Sequence, residues 1–310
     1  WKRMGMAVGF LPFSTVGYSL SNTSELTKDE DGTVINKTAS YAGDGGLQQV
    51  FAGVGFKVLD NLSIGANISY IYGDITHSVT TAFSNSSSFS SVRLDKISIN
   101  DYKLDFGLQY SYKFNKKHVL NFGAVYSLGH SVNGKGYKYN QKWLNGADYP
   151  STQTGDTITN AFSLPHTFGA GLTYVYDNRL TIGADFTYQQ WEDAKFYNEK
   201  SYFSNRTKIA AGAEFVPNPY SRNYLKRVRY RVGGYYSDPY TKVDGQDGTR
   251  EYGVSAGFGF PLFQSKSILN ISGQYVRVSP KVKGMLEENY LKINIGLTFN
   301  ERWFMKWKVD

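Results

Sequence analysis

Four histidines are the side chains of this chain best suited to binding a metal or transferring a proton. They are His77, His118, His130 and His166. None belongs to a His-x-x-x-His or Glu-x-x-His pair, the spacings at which neighbouring side chains commonly reach one zinc ion. The chain also has no cysteine, which excludes thiolate zinc sites and disulfides. The sequence therefore predicts neither a metal site nor a cofactor.

Other short motifs are equally weak evidence for a catalytic or ligand-binding site. Ser163 and His166 form a nearby Ser–His pair, but nucleophile and base are recognised by geometry and not by spacing. The glycine-rich residues 43–46 (GDGG) and 253–259 are not phosphate loops, because no helix follows them. Residues 29–32 (DEDG) lack the ligand spacing of a calcium loop. The chain is therefore not predicted to be an enzyme.

Polar residues instead recur at every second position of long segments. In residues 180–189 one set is apolar: Leu180, Ile182, Ala184, Phe186 and Tyr188. The intervening set is polar or small: Thr181, Gly183, Asp185, Thr187 and Gln189. Residues 60–72 nearly repeat the pattern. Because successive side chains of a strand face opposite sides, each segment predicts a strand with one apolar and one polar face.

The composition fits a membrane barrel. Among 310 residues there are 25 Tyr, 20 Phe, 32 Gly and only 8 Pro, and the mean hydropathy is −0.41. No apolar run approaches the roughly 18 residues of a membrane helix, but transmembrane strands place apolar residues only at alternate positions. A soluble β-sandwich or propeller would also explain the alternation. We predict an all-β chain folded as a transmembrane antiparallel β-barrel.

The lengths of the connections and the positions of the aromatic residues indicate what kind of barrel this is. About twelve strands are predicted, and short turns at 59–61, 115–117, 177–179 and 263–266 alternate with longer or more polar loops, among them 28–40 and 84–91. The strand that includes Leu120 is predicted to run on towards Trp143. Aromatic residues gather at both ends of the strands, as in the girdles of outer-membrane barrels. Outer-membrane barrels have short periplasmic turns, so we expect a bacterial outer-membrane location with a periplasmic C-terminus. A soluble β-protein explains these two features poorly.

The alternation of apolar and polar residues also predicts which polar side chains face the lumen of the barrel. They are Asn67, Asp105, Gln109, Asn121, Asp185, Gln189, Lys292 and Asn294. A shift of the register by one residue would point all of these side chains towards the lipid. A lysine or arginine on the lipid face at the bilayer midplane costs about 2–4 kcal/mol of folding free energy. The residues either line a water-filled path or form a hydrogen-bonded plug of side chains, and the sequence leaves both open.

Several segments resemble the FadL/TodX family of outer-membrane transporters for hydrophobic compounds. They are residues 53–72, residues 164–191 with the ending Tyr-Gln-Gln-Trp, and residues 231–239 with the ending Ser-Asp-Pro. The resemblance implies a barrel of 14 strands closed by an N-terminal hatch. Residues 1–310 would then form a single barrel domain, with the hatch and the first strand pair expected before residue 1.

The resemblance also implies a path for a ligand. A hydrophobic molecule would enter from outside, reach an inner pocket and leave sideways through a gap at a kinked strand. By order along the chain, this is the first strand, where Gly9, Pro12 and Gly17 should weaken pairing. Proline cannot donate to a strand ladder, so the residue chemistry agrees with the resemblance here.

Two functions follow from these features. The first is passive uptake of long-chain fatty acids or other hydrophobic compounds with lateral exit. The alternative is a structural or accessory subunit of a larger outer-membrane protein complex. The net charge is +8, with basic clusters at 222–231 and 302–308, but lysine and arginine are too scattered for a nucleic-acid site. Expected partners are outer-membrane lipid and lipopolysaccharide, a hydrophobic small molecule and other proteins.

Overall fold

The computed structural model describes residues 3–28, 31–85, 87–144, 152–159, 162–197, 199–243, 245–262, 267–281 and 287–299. Strands account for 78% of the structure and helices for 2%, which confirms the predicted all-β class. None of the helices in these ranges is both long and apolar enough to cross a membrane.

The strands fall into a tall first half and a shorter second half. The first half contains β1 (Met4–Lys28), β2 (Val34–Lys57), β3 (Leu62–Phe83), β4 (Phe89–Lys113), β5 (His118–Ser127), β6 (His130–Ser131), β7 (Gly134–Leu144), β8 (Thr152–Thr159) and β9 (Ser163–Leu164). The second half contains β10 (Thr167–Tyr176), β11 (Leu180–Gln189), β12 (Arg206–Phe215), β13 (Arg229–Ser237), β14 (Lys242–Val243), β15 (Gln246–Asp247), β16 (Thr249–Pro261), β17 (Ile268–Pro280) and β18 (Glu288–Thr298). Two 3₁₀ turns, Trp191–Asp193 and Tyr224–Lys226, complete the structure.

Twelve of these strands form the path of one antiparallel sheet. Its order is β1-β2-β3-β4-β5-β10-β11-β12-β13-β16-β17-β18, and β7 pairs with the upper half of β4 and with β8. This confirms the predicted antiparallel barrel of about twelve visible strands. Within the described residues β1 and β18 do not pair with each other. The further strand pair that would complete 14 strands stays a prediction.

Cross-strand register keeps the two faces distinct around the sheet. Ile68 pairs with Ala52 and Leu104, whereas Asn67 pairs with Gly53 and Asp105. The apolar set is broadly exposed: Ile68, for example, is 57% exposed. Apolar side chains left uncovered on nearly every strand form the outer belt that a bilayer would cover.

The wall is much taller on one side than on the other. Strands β1–β4 have 22 to 25 residues, but β10–β13 have 9 or 10. About 9–11 residues suffice to cross the hydrocarbon, so the tall side extends beyond it. On its outer face Asp74 accepts a charge-assisted bond from Lys96 at 2.8 Å, which holds the Asp74 pKa below its usual range.

Two predicted loops and one predicted strand are wrong in their boundaries. The polar loop predicted at 28–40 is mostly strand, because serine and threonine pairs such as Thr23–Thr38 join β1 to β2 across 3.0 Å. The loop predicted at 84–91 is shorter, since β4 begins at Phe89. The strand predicted from Leu120 towards Trp143 breaks after Ser127, where the chain turns inward before β7. Hydrophilic strands and inward turns carry no apolar alternation, so the sequence pattern misses them.

Candidate functional site on the inner face of the barrel

The first strand is irregular at the position predicted from Pro12. Pro12 pairs with Gln48 and Ser14 pairs with Leu47, so Phe13 is an extra residue without a partner in the ladder. Such a bulge reverses the alternation of the strand. Gly9 lies in register with Phe51 on the inner face, and Gly17 lies in register with Asp44 on the outer face. The register therefore shifts beside Pro12 and not at Gly9 or Gly17.

The neighbouring strands approach one another closely at the same level as this bulge. Gly73 has φ +143°, a backbone conformation that side chains with a Cβ rarely adopt, and a Cβ there would lie 2.3 Å from the Gly46 carbonyl oxygen. A Cβ on Gly46 would lie 2.4 Å from the Ser14 carbonyl oxygen. Three backbones thus approach closely at one height of the wall. Only glycine permits this approach.

An apolar core lies on the inner face at this level. Its buried members come from three strands and three inward-turned segments: Leu47, Ile71, Ile97, Ile99, Val132, Leu164 and Tyr197. The bulged Phe13 packs against this core together with Phe162 and Phe196. Because the inward segments cover the inner face of β2–β4, this part of the lumen is filled with packed side chains.

A cavity of about 720 Å³ adjoins the core on the side of the bulge. Its wall is mainly apolar and aromatic, and six of the lining residues are Phe13, Val16, Ile75, Phe162, Trp191 and Tyr240. Trp191 is held by its indole N–H, which donates to the Gln189 side chain at 3.1 Å, and its ring lies 5.0 Å from that of Tyr240. The size and lining are typical of a pocket for a small hydrophobic molecule.

Asp101 anchors the inward turn at 128–133 to the wall. Its carboxylate accepts the Asn133 backbone N–H at 2.6 Å and lies 3.4 Å from the His130 ring nitrogen. The Asp101 side chain is only 9% exposed. Further along the inner face, Lys138 lies over the Tyr197 ring, and burial raises the Tyr197 pKa, so its phenol stays neutral.

We expect Asp101→Ala to lower the free energy of unfolding by about 1.5–3 kcal/mol, because the hydrogen bond from the Asn133 backbone N–H to a charged carboxylate is lost. Amide exchange at Asn133 should accelerate in the same variant. Asp74→Ala, which removes an exposed ion pair, should cost only about 0–1 kcal/mol. Urea titrations of the refolded barrel compare the two, and equal losses would show that Asp101 does not anchor the turn.

The lower part of the inner face is lined by glycine and by paired polar groups. Asp105 accepts bonds from Lys103 and Ser127, and Ser111 donates to Asn121 at 2.7 Å. Further around, Glu214 accepts from Arg229 at 3.1 Å and from Arg231 at 2.6 Å. These networks neutralise much of the charge of the lower lumen.

Cross-strand register places the eight polar residues predicted to face the lumen on the same face of the sheet. Cross-strand register joins Asn67 to Asp105, and Gln189 lines the apolar cavity. The others lie further along the wall: Gln109, Asn121, Asp185, Lys292 and Asn294. Whether they line a path stays a prediction.

The sequence reasoning missed the Glu214 network and the apolar core. Arg229 and Arg231 belong to the basic cluster at 222–231, and their alternation with Tyr230 and Val232 places them on the inner face of β13. No comparable signal exists for Val132 or Tyr197, because their segments are irregular. Among the residues that the structure describes, no group of three His, Asp or Glu side chains could hold a metal ion.

A family model described as BamG matches residues 1–310. No curated protein sequence matches the chain.

Solved structures resemble it in fold. A structure titled CymD monoaromatic hydrocarbon channel has a TM-score of 0.55 at 11% identity and covers 97% of this chain and 90% of its own. The structure of the Ralstonia pickettii toluene transporter TbuX has a TM-score of 0.55 at 11% sequence identity and covers 96% of this chain and 90% of its own. The structure of a Pseudomonas aeruginosa FadL homologue has a TM-score of 0.51 at 14% sequence identity and covers 90% of this chain and 80% of its own. The predicted FadL-like barrel is thereby confirmed as a fold.

Proposed function

The chain belongs to the BamG family, and from this premise we propose that it is an outer-membrane barrel serving as a subunit of a complex related to barrel assembly. The family match over the whole chain carries this proposal. The packed core of Leu47, Ile71 and Ile97 agrees with it, since it fills lumen that a wide solute channel would leave open. The short-turn end is proposed to face the periplasm, with the C-terminus on that side.

Gentle detergent extraction of the full-length protein followed by native mass spectrometry tests the proposal. The expected result is a fixed-stoichiometry complex with other outer-membrane or periplasmic proteins. A barrel that is always recovered alone, under conditions that preserve a known complex from the same membrane, would contradict the proposal. Lipid and lipopolysaccharide, which we propose as surrounding partners, would appear as variable adducts and not as fixed subunits.

A second candidate function is uptake of a hydrophobic compound, and the apolar cavity of about 720 Å³ beside the β1 bulge favours it. In this proposal the ligand rests against Phe13, and the lateral exit lies along Gly9, Pro12 and Gly17. The two functions are compatible, because a complex subunit with a FadL-like fold can keep a pocket.

Val16 lines this cavity, and we expect Val16→Trp to reduce binding of palmitate to the purified barrel by about tenfold. The reason is that the added indole occupies the space of the ligand, and tenfold corresponds to about 1.4 kcal/mol of lost binding free energy. Gly273→Ala is the control, because an added Cβ there meets no atom within 4 Å and the residue lies outside the cavity and the proposed exit. Palmitate binding that is equal in both variants and the wild type would place the ligand outside this cavity.

A further inference from the structure

One connection at the short-turn end differs from its neighbours in length and order. The β12–β13 loop (residues 216–228) joins two strands whose equivalents elsewhere are joined by a few residues. It is folded: side-chain oxygens of Asn218 and Asn223 each accept a loop backbone N–H at 3.0 Å. Its ends, Val216 and Val228, are buried. The loop therefore has a defined conformation and is not an extended linker.

Further hydrogen bonds fasten the loop to the wall. The Tyr224 hydroxyl donates to the Pro261 carbonyl oxygen at 3.2 Å, and the Tyr230 hydroxyl donates to the Leu225 carbonyl oxygen at 3.1 Å. The Arg227 guanidinium lies 5.4 Å from the centre of the Tyr224 ring. Residues that project from this loop are consequently held in place before any partner arrives, which lowers the entropy lost on binding.

Two projecting side chains are apolar and unusually exposed. Tyr220 is 93% exposed, more than any other large apolar or aromatic side chain in the described residues, and Leu225 is 64% exposed. Exposed aromatic residues beside arginine, on a rigid support, are typical of the anchors that dominate protein–protein binding.

The loop also carries positive charge that the described structure does not neutralise. Arg222 and Lys226 are exposed, and neither forms an ion pair with a described carboxylate. At the same end, Asp60 lies within 4 Å of Arg3 and Lys57, and Asp177 lies 3.5 Å from Arg179. The carboxylates of these two turns are thus matched by cations of their own, whereas Arg222 and Lys226, like Lys116 and Lys117 of the β4–β5 turn, have no described carboxylate partner.

We propose that the β12–β13 loop is the docking site for a periplasmic protein partner whose surface is acidic around an apolar pocket. Tyr220 and Leu225 enter the pocket, and Arg222 and Lys226 face its acidic rim. An anionic lipid surface would use the basic turns all around the barrel. The combination of exposed anchors, unmatched cations and a folded support is found at this loop. The proposal rests on the proposed function as a complex subunit.

The test uses the full-length protein in its native membrane with a photoreactive phenylalanine in place of Tyr220. The expected result is one major crosslinked protein, with the attachment site in a segment rich in aspartate and glutamate. The matched control places the same probe at Leu59, an exposed apolar residue of a short turn whose cations are paired with Asp60. That position should give little or none of this product.

Charge reversal provides the second arm. Arg222→Glu with Lys226→Glu should reduce the crosslink yield by about tenfold, the change that loss of a moderate anchor contact produces. Lys116→Glu with Lys117→Glu makes the same charge change in another turn and should leave the yield near that of the wild type. All variants must show the heat-dependent electrophoretic shift of a folded barrel.

The outcomes separate this inference from the function on which it rests. Crosslinks from Tyr220 to lipid alone, or an unchanged yield after charge reversal, would overturn the docking site while a stable complex would still support the subunit role. If the wild-type protein is recovered without fixed partners, both proposals fail.

Discussion

Replacing Gly73 by valine is expected to destabilise the barrel more than any other single substitution considered for this wall. The residue has φ +143° and its missing Cβ would lie 2.3 Å from the Gly46 carbonyl oxygen. Backbone strain of this kind costs about 1–3 kcal/mol, and overpacking adds about 1–3 kcal/mol. We therefore expect a loss of roughly 2–6 kcal/mol.

Urea titration of the refolded barrel in lipid vesicles measures this loss, and amide exchange localises it. Exchange should accelerate along β2 and β3 near Leu47, whose backbone faces Gly73 in the ladder. Gly17→Val is the control, because a Cβ there meets nothing within 4 Å and its φ is not in the left-handed region. If the two variants lose similar stability, the close approach of the strands does not constrain residue 73.

Replacing Ile68 by lysine is expected to cost about 2–4 kcal/mol, because the charge would lie on the lipid face of β3. Val125→Lys is a closely matched control. Ile68 and Val125 are both 57% exposed, but Val125 lies in register with Gly107 and Gly169 on the inner face. The two side chains are equally exposed, so the difference in the free energy of unfolding between the two variants reports whether each face contacts lipid or water.

Folding into vesicles of increasing acyl length distinguishes these faces further. The Ile68 variant should fold less completely as the bilayer thickens, since its lysine cannot reach the headgroups as easily. The Val125 variant should follow the wild type. A larger loss at Val125 than at Ile68 would invert the assigned register and would place Asn67, Asp105 and their neighbours in lipid.

The sequence alone determined the fold class and, within the alternating segments, which residues share a strand face. Alternation is a local property, because each strand residue faces opposite to its neighbour whatever lies beyond it. Ile68 and Asn67 could therefore be assigned to opposite faces before any pairing was known. Pro12 likewise marked the place where the β1 ladder is irregular, since proline lacks the N–H that the ladder needs.

Tertiary structure decided the contents of the lumen. The apolar core joins Leu47 and Ile71 to Val132 and Tyr197, which lie far apart in sequence and belong partly to irregular segments. Whether a segment continues a strand or turns into the lumen depends on the segments, distant in sequence, that pack against it. A local sequence pattern does not contain that information. The Glu214 network arises in the same way, because its carboxylate meets Arg231 only when β12 pairs with β13.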